Sequence, residues 1–150
     1  MADSDLMKLY SGRILELASA IPHTGRLETP DASVKRRSPL CGSTVTVDVR
    51  VEGGRIAALG QEVKACALGQ AAAALAGAHA IGRTREEVEA ARDALKAMLT
   101  ANGPPPGAPY EGFEVLVPAR DFRNRHASIM LALEATAEAM AKVEAARETA

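Results

Sequence analysis

The chain has 150 residues, 47% of them apolar and 25% charged, with 18 Lys+Arg against 19 Asp+Glu. That profile is expected of one globular domain, with a core from Leu6 to Val143. A formal charge of -1 argues against the broad basic face that holds nucleic acid by counterion release. Aromatic residues at 3% leave little for base stacking, and no apolar run reaches the roughly 18 residues needed to cross a bilayer. The acidic start, Met1 to Asp5, is unlike an export signal, so a cytoplasmic location is expected. In that compartment Cys41 and Cys66 should stay thiols.

Leu6, Tyr10, Ile14 and Leu17 recur at helical spacing, with Ser4 or Asp5 able to cap, and predict a helix that stops before Pro22. Ile21 to Ala32 is a turn-rich connector that leads into an edge strand near Ser33 to Arg37. Thr44 to Val51 alternates polar and apolar without a slip, putting four valines on one face. Glu52-Gly53-Gly54 turns the chain into a second strand, Arg55 to Val63, whose alternation is weaker, and the two read as a hairpin.

Ala67 to Ala80 is alanine-rich and predicts a helix able to pack closely. Thr84 and Glu87 form a capping box ahead of the apolar stripe Val88, Ala91, Leu95, Met98 and Leu99. Ala101 to Pro109 reads as loop. A last helix is expected from His126 toward Ala146, with Ile129, Leu133, Met140 and Val143 inward. Strands in one run and helices in another favour an α+β fold: a small antiparallel sheet of about three strands, with helices on one side.

Three residues that carry chemistry fall at element starts. Cys41 precedes the alternating strand, with Gly42 leaving its backbone approachable. Cys66 opens the alanine-rich helix, where free N-H groups and the dipole favour thiolate. His126 opens the final helix, beside a basic run of Arg120, Arg123 and Arg125 that reads as a solvated face or as steering for an anionic partner. His79 reads as a residue at the core's edge and His23 as part of a turn. No short metal motif joins these positions.

The pieces together resemble the iron-sulfur cluster assembly scaffolds IscU, SufU and the N-terminal domain of NifU. Leu9-Tyr10 and Pro22-His23-Thr24-Gly25-Arg26-Leu27 are similar to that family's first helix and the stretch after it. Ser38-Pro39-Leu40-Cys41-Gly42-Ser43 is similar to its Asn-Pro-x-Cys-Gly-Asp site. Lys64-Ala65-Cys66-Ala67-Leu68-Gly69 falls where its second cysteine opens a helix. Asn124-Arg125-His126-Ala127-Ser128-Ile129 falls where its third cysteine begins the last helix.

The resemblance implies a scaffold or sulfur carrier rather than an enzyme, with SufU-like sulfur transfer as a variant. Cys41, Cys66 and His126 would hold iron and sulfide, a transient iron-sulfur cluster or, alternatively, zinc. A cysteine desulfurase and cluster-accepting apoproteins would be its partners; a degenerate interaction protein without metal is the remaining alternative. The chain departs from the family pattern at Ser43, which replaces an acidic residue, and at His126, which replaces a thiol. Asp121-Phe122-Arg123 are extra residues after the family-like segment Leu116-Val117-Pro118-Ala119-Arg120.

Overall fold

A computed structural model describes residues 10–148. Helix α1, Gly12–Ala18, is capped by Ser11, whose hydroxyl accepts from the Ile14 N-H. The caps expected at Ser4 or Asp5, and Leu6, lie outside the described residues. Strands β1 (Ala32–Arg37), β2 (Thr44–Glu52) and β3 (Arg55–Lys64) form one antiparallel sheet in the order β1-β2-β3. Helices α2 (Ala67–Ala78) and α3 (Arg85–Thr100), a run of 3-10 turns (Glu111–Asp121) and the long helix α4 (Arg123–Glu148) follow. The expected α+β architecture is present. No described helix is long and apolar enough to cross a membrane.

The alternation in β2 buries Val45, Val47, Val49 and Val51 on one face. Val34 pairs with Val47 from one side and Gln61 from the other, so that face continues across all three strands. Helix α4 lies on β1 and β2 and touches α2 and α3 as well, which makes it the central element of the helical layer. The weaker alternation of β3 has a local cause. Arg50 pairs with Ala58 but Val51 with Ile56, so Ala57 is a bulge, and Ile56 and Leu59 both turn inward despite their odd spacing. At the hairpin, Gly53 and Gly54 carry φ of 58° and 76°, as a two-residue turn of the primed type requires.

The connector after α1 covers part of the opposite face. Asp48 is fully buried there, and its carboxylate accepts from the Arg26 guanidinium, the Leu27 N-H and the Ser33 hydroxyl. On the helical side Gln61, 1% exposed, donates to the carbonyls of Ala73 on α2 and Pro22 in the connector. The capping box at Thr84 and Glu87 is formed in both directions.

Candidate functional site

The loop between β1 and β2 is closed at its neck by the Ser38 N-H donating to the Ser43 carbonyl at 2.8 Å. A second bond, Gly42 N-H to the Ser38 carbonyl, tightens it. Gly42 has φ of 72°, a conformation that costs glycine nothing. The loop exposes Cys41 while burying the flanking serines: Ser38 is 0% and Ser43 5% exposed. Both hydroxyls face the thiol, Ser38 Oγ at 3.2 Å and Ser43 Oγ at 3.1 Å from Cys41 Sγ. Hydrogen bonding with Ser38, then with Ser43, lowers the Cys41 pKa to about 7.

Cys66 is the N-cap residue of α2, with extended backbone, and its side chain makes no capping bond. Its Sγ instead faces Ser128 Oγ on α4 at 3.4 Å. Ser128, fully buried, donates to Ser43 Oγ at 3.1 Å. A continuous path therefore runs Cys41, Ser43, Ser128, Cys66, three hydrogen-bond lengths from sulfur to sulfur. The loop, the α2 N-terminus and the first turns of α4 meet here, so two of the three expected residues come together.

His126 is directed elsewhere. Its Nε2 lies 2.8 Å from the Ala119 carbonyl, which can only accept, so Nε2 carries the hydrogen. The imidazole lines a pocket with Thr100, Asn102, Arg120, Asp121 and Arg123, and neither cysteine belongs to that lining. Helix geometry explains the divergence. Positions 126 and 128 differ by about 200° around α4, so when Ser128 faces the thiols His126 cannot. Among the described residues no three His, Cys, Asp or Glu side chains lie close enough together to hold a metal ion.

Within the basic run Arg123 is exposed, while Arg120 is turned inward. Arg120 donates to the carbonyls of Met98 and Gly103 at 2.7 and 2.6 Å, satisfying groups freed at and beyond the α3 C-terminus. His79 caps the C-terminus of α2 and meets Tyr110 edge-on, with ring centroids 6.2 Å apart. His23, with φ of 58°, accepts at its carbonyl from the Gln61 N-H.

A crystal structure of the N-terminal part of a nitrogen-fixing NifU-like protein from Brucella abortus superposes with a TM-score of 0.92. It is 40% identical and covers 94% of this chain and 98% of that one. The chain belongs to the NifU-like family. A protein of Fervidobacterium islandicum AW-1, described as an iron-sulfur cluster assembly scaffold for the SUF system, shares the fold. Its TM-score is 0.81 at 18% identity, covering 89% of this chain and 98% of that one. A hypothetical protein has a TM-score of 0.74 at 22% identity, with the same coverage. No family model and no curated protein matches the NifU-like chain.

Proposed function

We propose that this NifU-like chain is a scaffold for iron-sulfur cluster assembly, in which Cys41 accepts sulfur and Cys41 and Cys66 together hold the nascent cluster. The observation that carries the reading is the joining of the two thiols through Ser43 and Ser128 at one end of the fold. Cys41 is exposed and substantially thiolate at neutral pH, which suits a nucleophile that must meet a partner protein. Its thiolate attacks the outer sulfur of a persulfide on a cysteine desulfurase. The donor's S-S bond breaks, the donor cysteine leaves as thiolate, and a new S-S bond forms on Cys41, with no external oxidant.

Two thiolates beside neutral hydroxyls supply fewer strong donors than the four that a closed zinc site uses. That donor set suits a cargo passed on to an apoprotein better than a resident ion. In this reading His126 is not a ligand; its Nε2 meets the Ala119 carbonyl and its ring lines a pocket that holds neither cysteine.

The experiment is sulfur trapping. The protein is incubated with a cysteine desulfurase and labelled cysteine, alkylated and mapped by peptide mass. Label on the Cys41 peptide, lost in Cys41→Ala, is expected. Absence of label from both cysteine peptides, with the desulfurase shown to be active, overturns the sulfur-accepting role.

A further inference from the structure

We propose that Ser43 and Ser128 are positioning residues that join Cys41 and Cys66 into one dithiol site. The role rests on the reading of the two cysteines as the working thiols and assigns functional work to two further side chains. Ser128 is the more telling. A buried hydroxyl within a helix ordinarily bonds back to the carbonyl four residues earlier, as Thr136 on the same helix does to Ala132 at 2.7 Å. Ser128 reaches outward instead, to Ser43 from a different element and to Cys66 from a third.

The packing keeps room for this hydroxyl. Ser128 Oγ lies where a side chain on Gly69 would otherwise go, 2.5 Å from the position of a Cβ there. Donor capacity gives the path a direction. Ser128 gives its hydrogen to Ser43, so it accepts from the Cys66 thiol, while Ser43 is left to donate to Cys41. Each sulfur is thus hydrogen-bonded to a buried serine of the same path. Without the serines, nothing in the path would tie the orientation of Cys66 to the loop that carries Cys41.

Phenylarsine oxide tests the pairing without iron or sulfide. One arsenic(III) bonds two thiols; each thiol gives up its proton and the arsenic-bound oxygen leaves as water, with no change of oxidation state. Wild type should capture one arsenical per chain, and Cys41→Ala or Cys66→Ala should abolish stable capture. Ser128→Ala should slow capture about fivefold, as expected from losing one hydrogen bond's worth of preorganisation.

Thr136→Val, which removes a buried hydroxyl from the same helix away from the thiols, should capture at the wild-type rate. If Ser128→Ala does not fold, Ser43→Ala removes the other half of the bridge and should show the same slowing. Absence of two-thiol capture in wild type, an unchanged rate in a folded serine variant, or equal slowing in Thr136→Val would overturn the assignment. A chain that captures arsenic through both thiols yet accepts no sulfur would refute the scaffold reading and leave the positioning role standing.

Discussion

A Cβ on Gly69 would sit 2.5 Å from Ser128 Oγ and 2.8 Å from Ala65 Cβ, closer than atoms can pack. In an open helix, replacing glycine by alanine gains about 1 kcal/mol. Here crowding of a buried hydroxyl should outweigh that gain, with overpacking costing about 1–3 kcal/mol. Gly69→Ala should therefore lower the urea midpoint, whereas Gly12→Ala, with open space around its Cβ, should not. A midpoint for Gly69→Ala at or above wild type would show that the α2–α4 contact yields freely.

The pH dependence of alkylation reports the loop around Cys41. Below about pH 7 its sulfur is mainly protonated and slow; above it the thiolate dominates. The rate of iodoacetamide modification at Cys41 should rise with a midpoint of about 7. Ser38→Ala, which removes the first of the two stabilising hydroxyls, should move that midpoint toward the roughly 8.5 of a free cysteine. A wild-type midpoint already near the free value would remove the hydroxyls from the account.

Asp48 anchors the connector to the sheet. Burial alone would raise its pKa, but bonds from Arg26, Ser33 and the Leu27 N-H outweigh burial and hold it below the usual carboxylate range. A depressed folded pKa contributes stability that is present above the unfolded value of about 3.9 and lost as pH falls through the folded value. Asp48→Ala should cost about 2 kcal/mol at neutral pH, the scale of hydrogen bonds to a charged group. The deficit should shrink in acid, as read by urea denaturation at both pH values.

The cap of α3 gives a simpler test. Thr84 accepts from the Glu87 N-H, and the Glu87 carboxylate accepts from the Thr84 N-H. Thr84→Ala should destabilise the protein by about 1 kcal/mol. Thr84→Ser should retain most of the cap, and equal losses in both variants by thermal melting would point to the threonine methyl instead.

The sheet was legible because burial on one face writes period two into β2, and the α3 cap was legible because it needs only local residues. The run at Glu111–Asp121 was harder to read. Its buried residues Phe113, Leu116 and Ala119 recur every three positions, a 3-10 period distinct from the helical and strand templates. The two cysteines stood out through their chemistry and their place at element starts. Ser128 did not, because a serine in a helical stretch is chemically quiet and only the approach of α2 and the β1–β2 loop gives it partners. His126 stood out for its residue type, but α4 begins earlier, at Arg123, and its rotation turns that ring away.

Anaerobic reconstitution with iron and sulfide, followed by assay of bound iron and acid-labile sulfide, tests the two-thiol site most directly. Cys41→Ala and Cys66→Ala should each lose the bound cluster, while His126→Ala should load as wild type does. Full loading in both cysteine variants, or loss in His126→Ala equal to theirs, would contradict the account.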